Sequence, residues 1–217
     1  MSASVYLPYA CTVLALSSVC YAPELGRRAA GKAAAAVSGL TALVYAVLII
    51  LNLSADSKVR QSTHSVTRFF SALEYAAKVD VFEKNDWKVS YLNTCTELDN
   101  DNYKRFADRY AEQLMDVPSN SLHQHLISYY LTYQEYDQAL RAAKQSVYFN
   151  TSDSETWNGC FSLFSSALSQ HPEDEAAILD CVRELNTELQ GCQERLMLPV
   201  VLDAGSKALV AAATFEG

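Results

Sequence analysis

Leu40–Leu53, LTALVYAVLIILNL, constrains this chain more than any other segment, because it is apolar on every face of a helix. A surface helix of a water-soluble domain carries a polar stripe, and this segment has none. It lies within an uncharged stretch, Ala33–Ala55, that follows an earlier one, Ser2–Ala22. Each is about 20 residues, which at ~1.5 Å rise per residue matches a hydrocarbon core of ~30 Å. The expectation is a transmembrane helical hairpin over residues 1–55, with spans near 2–22 and 33–55, set in the lipid bilayer of the cell membrane. A signal peptide ending near Val19-Cys20-Tyr21-Ala22 is the other reading of the first stretch, although Met1–Ser4 has no cation. A buried helical hairpin is the other reading of both.

The loop between the stretches holds Arg27, Arg28 and Lys32 against Glu24. By the positive-inside rule it is cytoplasmic, which makes a multi-pass protein with everything after Ala55 extracytoplasmic. Neither stretch contains an acid, a base or a histidine, so no proton or ion path is expected.

The net charge of −8 conceals an asymmetry, since residues 56–217 carry 24 acids against 14 bases. An acidic domain is repelled by phosphate backbones, so no nucleic-acid partner is expected. Seven glycines and five prolines are few for a turn-rich β domain, and the class expected is all-α. Six cysteines show no paired spacing. Free core thiols are the expectation, and a Cys181–Cys192 bridge would require a helix break near Gly191.

From Ser57 onward, helical periodicity is interrupted at short turns that delimit helices of about 12 to 20 residues. Trp87 and Trp157 stand seventy residues apart, each eleven residues after a small residue, Ala76 and Ser146. A period near 34 points to stacked helix pairs. Tyr136 to Val147 (YDQALRAAKQSV), then Asn150-Thr151-Ser152-Asp153 and Glu155-Thr156-Trp157, resembles the second helix and next start of a tetratricopeptide repeat. That resemblance assigns Ala76, Ala139, Ala143 and Ser146 to helix crossings and Trp87 and Trp157 to the gaps between pairs. Thr151 stands where that family has proline, and Phe161 where it has a small residue. The organisation expected is a tetratricopeptide-like domain over 56–198, with 199–217 as a capping helix or tail; an irregular helical bundle is the alternative. His171-Pro172-Glu173-Asp174 is expected to start the helix Glu175–Leu196, which should end or bend near Gly191.

No catalytic, cofactor-binding or metal site emerges. His123-Gln124-His125 is the one histidine cluster, but residues two apart on a helix point about 200° from each other, so surface histidines are expected. No phosphate loop, Cys-x-x-Cys pair or nucleophile elbow occurs. Tyr129, Tyr130, Tyr133 and Tyr136 fall within two helical turns and form a possible partner-binding surface, on the face that stacked repeats offer to an extended segment. Inter-helix packing is the other role open to them.

Leu51–Asp56 together with Ala72–Trp87 (ALEYAAKVDVFEKNDW) resembles the C-terminal portion of the bacterial O-antigen ligase and polymerase family. The resemblance implies a polytopic envelope protein ending in an extracytoplasmic repeat domain. In that family glycan transfer from a lipid-linked donor is attributed to Arg and His residues of an earlier loop, which nothing here matches. It therefore implies a membrane-anchored module that binds or scaffolds in polysaccharide assembly beside an envelope protein. The alternatives are the C-terminal fragment of such a transferase and a general envelope protein–protein adaptor.

Overall fold

A computed structural model describes residues 27–79, 85–98, 101–196 and 199–215. The expected first span, Ser2–Ala22, and Glu24 lie outside the described residues. Every described element is helical: α1 (Arg27–Gln61), α2 (Val66–Val79), α3 (Asp86–Leu98), α4 (Asp101–Met115), α5 (Asn120–Thr132), α6 (Tyr136–Phe149), α7 (Ser154–Gln170), a 3-10 turn (Pro172–Asp174), α8 (Glu175–Leu196) and α9 (Ala204–Phe215). The chain divides into two compact units between Lys88 and Val89. In the first unit α1 continues past Ala55 through Asp56–Gln61, and a turn closed by Ser62 N–H to Val59 O and Ser65 N–H to Ser62 O returns α2 along it.

In the first unit, Leu40, Leu43, Ile50 and Leu53 of α1 each expose 62–64 % of their surface. Residues 39–61 form the one helix among the described residues long and apolar enough to cross a membrane. Three polar side chains of its apolar part turn back on the helix itself. Thr41 donates to Val37 O at 2.9 Å, Asn52 to Leu48 O at 2.9 Å and Ser54 to Leu51 O at 2.8 Å. Each therefore finds its partner without water. Where α2 folds back, Phe70, Leu73 and Ala76 are fully buried.

In the second unit, α5 and α6 form a helical hairpin. Asn120, which opens α5, meets Ser146 near the end of α6, so the two helices run antiparallel. Gln134 closes their turn at φ 58°, the left-handed region that favours glycine. Glu135 N–H reaches back to Tyr130 O at 2.8 Å. A 3-10 turn over Pro172–Asp174, with no left-handed residue, joins α7 to α8; α5 packs on α7, α6 on α8, and α9 covers both α7 and α8. Ala139, Ala143 and Ser146 are wholly inaccessible, which lets helix axes approach closely. Trp157, Phe161 and Phe164 fill the interior of α7. Each such burial contributes about 1.5–3 kcal/mol.

Local chemistry explains the element ends. Asp153 caps α7 by accepting from the N–H of Glu155 and of Thr156, at 3.2 and 3.1 Å. The hydroxyl of Thr156, with those amides, holds its carboxyl below the usual carboxylate range against the opposing effect of desolvation. Pro172 and two acids do open the region before α8, but as a separate 3-10 turn. The break expected near Gly191 does not occur, since α8 continues to Leu196 with Leu189 and Cys192 buried on either side of the glycine. Cys181 and Cys192 accordingly sit on one continuous helix as free thiols.

The two tryptophans are not structural equivalents. Trp87 is the second residue of α3 and follows Asn85, at φ 60°, and Asp86; Tyr136 is the first residue of α6 and follows Gln134 and Glu135. Each aromatic thus sits two residues after a left-handed turn residue and directly after an acid. Trp157 is instead the fourth residue of α7, fully buried, whereas Trp87 is half-buried. The seventy-residue spacing therefore does not join like positions.

Candidate functional site

The four tyrosines expected to present a surface lie largely inside the second unit. Tyr129 and Tyr130 expose 1 % and 5 % of their surface, and Tyr133 and Tyr136 are half-buried. Inter-helix packing, the other role open to them, has a physical cause: each of three hydroxyls finds a partner on another element. Tyr129 donates to Asp108 on α4 at 2.7 Å, Tyr133 to the Cys95 carbonyl of α3 at 3.0 Å, and Tyr136 to Asp174 at 2.7 Å. The Cys95 carbonyl lies in the last turn of α3, where carbonyls have no intrahelical donor. The rings of Tyr129 and Tyr133 pack 5.1 Å apart.

Lys104 completes this hub. It pairs with Asp108 at 2.8 Å and Glu135 at 2.5 Å, with its ammonium 5.1 Å from the Tyr133 ring. Burial would lower its pKa, but the hydrogen bonds and charges of Asp108 and Glu135 outweigh that and raise it. Burial, reinforced by Asp108, also drives Tyr129 far up, and burial with the charge of Glu135 takes Tyr130 to about 12. Both phenols stay protonated at neutral pH, and Tyr129 acts as a fixed donor to Asp108. None is suited to nucleophilic or general-base chemistry.

The open surface lies elsewhere, between α6 and α8. A groove of about 960 Å³ runs there, with Leu140 and Val147 on one wall and Glu184, Glu188 and Cys192 on the other. Tyr148 borders it and exposes 75 % of its surface. Lys144 pairs with Glu184 between the two walls. A second hollow of about 480 Å³ shares Asp137, Leu140 and Glu184 with the first and reaches Tyr136 and Cys181. The Cys181 thiol is pushed up to about 11, first by burial and then by the charges of Asp137, Glu184 and Asp180. The sequence carried a hint of this groove in Leu140, Lys144 and Tyr148, spaced four apart along α6. Nothing local could identify α8 as the opposite wall.

His123, expected on the surface, is fully buried. Its Nε2 lies 2.9 Å from Met115 O and its ring stacks on Phe149. The ligating atoms of His171, Glu173 and Asp174 lie within 4.8 Å of one another, a grouping that the sequence read only as a cap. Asp174 already accepts from Tyr136, and Gln134 Nε2 lies 3.3 Å from His171 Nδ1, so these groups fasten the α5–α6 turn to the start of α8. When the chain is compared with known proteins, no family model, curated sequence or solved structure matches it.

Proposed function

We propose that this chain is a membrane-anchored helical-repeat module of the bacterial cell envelope, whose α6/α8 groove receives an extended segment of a partner protein. The observation that carries the reading is the layout of the second unit. Two helix pairs stack α5 on α7 and α6 on α8, and the contact between α6 and α8 leaves an open groove with apolar side chains inside and charged ones at its rim. Stacked helix pairs bind extended segments along such surfaces. The tetratricopeptide-like reading draws on the buried small residues of α6 and on the repeated left-handed, acidic, aromatic starts of α3 and α6.

The anchor is supported by the exposure of Leu40, Leu43, Val47, Ile50 and Leu53 on α1 and by the internal bonding of its Thr41, Asn52 and Ser54. An apolar surface of that extent is unstable in water and is covered by lipid or by another helix. The hairpin with Ser2–Ala22 rests on the length and lack of charge of that stretch, and the setting beside a glycan ligase or polymerase on the sequence resemblance. The extracytoplasmic placement rests on Arg27, Arg28 and Lys32, which Lys58, Arg60 and Arg68 match in number on the other side of the apolar run.

Two experiments test these parts. A photoreactive phenylalanine analogue at Tyr148 should give a discrete polypeptide adduct in cells, and one at Ser169, exposed on α7, should not. Adducts at both positions or at neither would remove the groove from consideration. Alkaline phosphatase fused after Gly217 should be active; an inactive fusion would place the second unit in the cytoplasm.

A further inference from the structure

We propose that the end of α1 and the helix folded back on it, α2, form a basic collar that binds the headgroups of anionic phospholipids. The proposal rests on α1 being inserted in a membrane, and adds which lipids its boundary recognises.

The exposed apolar side chains of α1 stop at Leu53. One turn further on, three polar groups converge: Ser54 Oγ lies 3.4 Å from the Tyr75 hydroxyl of α2, and Lys58 Nζ sits 3.6 Å from the centre of the Tyr75 ring. An aromatic with a polar tip at the level where an apolar run ends is in the position such residues take at membrane–water interfaces. Lys58 lies five residues past Leu53, about 7.5 Å along a helix, which is the depth of a headgroup layer. Because α2 folds back along α1, Arg68, seven residues before Tyr75, and Lys78, three after it, lie about 10 Å and about 5 Å along the helix from that contact.

Charge points the same way. Lys58, Arg60, Arg68 and Lys78 are all exposed. Arg60 is paired with Asp56, while Arg68 and Lys78 make no ion pair among the described residues. Residues 54–79 carry four Lys/Arg against two acids, Asp56 and Glu74; residues 89–217 carry eight against nineteen. The net charges are +2 and −11, so an anionic surface attracts the first segment and repels the second.

Hydrogen exchange on the full chain in nanodiscs tests the collar, using phosphatidylcholine alone and phosphatidylcholine mixed with phosphatidylglycerol. Amides of residues 54–79 should exchange about fivefold more slowly in the anionic discs, the scale of one cation's attraction to such a surface. The triple variant Lys58→Gln, Arg68→Gln, Lys78→Gln alters exposed side chains only, and should lose that difference while keeping its helical circular dichroism. Equal exchange in both lipids, or a difference retained by the variant, would overturn the collar. Equivalent protection from inorganic phosphate added to phosphatidylcholine discs would assign the site to a free anion and overturn it too. Protection of residues 39–53 reads the anchor separately. Free exchange there would sink the membrane reading and the collar with it.

Discussion

Ser146 Oγ, near the end of α6, donates to Asn120 Oδ1 at the start of α5, 2.7 Å away. Asn120 in turn donates through Nδ2 to Thr156 Oγ1 of α7 at 2.8 Å, so one amide joins three helix ends. Ser146 and Thr156 are fully buried. Asn120→Ala would take the acceptor from the buried Ser146 hydroxyl and one donor from the Thr156 hydroxyl, which still donates to Asp153, and about 1–3 kcal/mol is the expected loss. Urea unfolding of the variant should show a lower midpoint with an unchanged slope. An unchanged midpoint would show that water replaces the amide at no cost.

Trp157 and Trp87 should respond differently to truncation. Trp157 is fully buried and its Nε1 donates to Thr151 O at 2.9 Å, whereas Trp87 is half-buried. Trp157→Ala should cost about 3–5 kcal/mol, the range for large-to-small changes in a packed core. Trp87→Ala should cost clearly less. Equal losses in denaturant titrations would restore the equivalence that their spacing suggested.

Acid should weaken the cap on α7. The Asp153 carboxyl is held below its usual range in the folded chain, so its contribution is present above the unfolded pKa near 3.9 and is lost as pH falls through the lower folded value. Asp153→Ala should lower stability by about 1 kcal/mol at neutral pH. The gap in melting temperature between variant and parent should close as the pH is taken below about 4. A gap that stays constant into that range would mean the charge contributes nothing.

Alkali should weaken the tyrosine hub. Lys104, Tyr129 and Tyr130 all have folded pKa values above their ordinary ones, so the stability linked to them is complete below about pH 10 and falls as pH rises toward the folded values. Phenolate absorbance followed against pH should leave a protonated fraction at pH ~11 that appears only on unfolding. Tyr129→Phe should shrink that fraction and leave Asp108 one donor short. Complete titration of the native chain near pH 10 would contradict the buried hub.

Thiol chemistry offers a fifth check. Burial raises Cys160 to about 12 and Cys181 to about 11, and both sulfurs are free. Neither should react with an aromatic disulfide reagent at pH ~8 unless denaturant is added, because the thiolate is the reactive form. Rapid native labelling of both would mean that the α6–α8 and α7 interiors open readily.

Much of the helical layout could be read along the chain, because a helix is specified by residues three and four apart. The recurrence of Ala139, Ala143 and Ser146, the turn at Gln134-Glu135 and the acid at Asp153 are all local features, and the structure has them at a helix crossing, a hairpin and a cap. Gly191 misled for the same reason. A glycine weakens a helix by ~1 kcal/mol relative to alanine, and packing of Leu189 and Cys192 on either side overrides so small a preference.

By itself, then, the sequence determined that the chain is helical, that one segment is apolar without a polar stripe, and that acids gather in the C-terminal part. These follow from composition and short-range periodicity. Only the tertiary structure decided that Tyr129 and Tyr130 are interior, that His123 is buried, that the compact units part at Lys88 and that the open groove lies between α6 and α8. Each of those depends on a partner on another element: Asp108 for Tyr129, Met115 for His123, α2 folded on α1, and Glu184 facing Lys144. A side chain's periodicity says which face it occupies, and only the packing of the other helices says what that face meets.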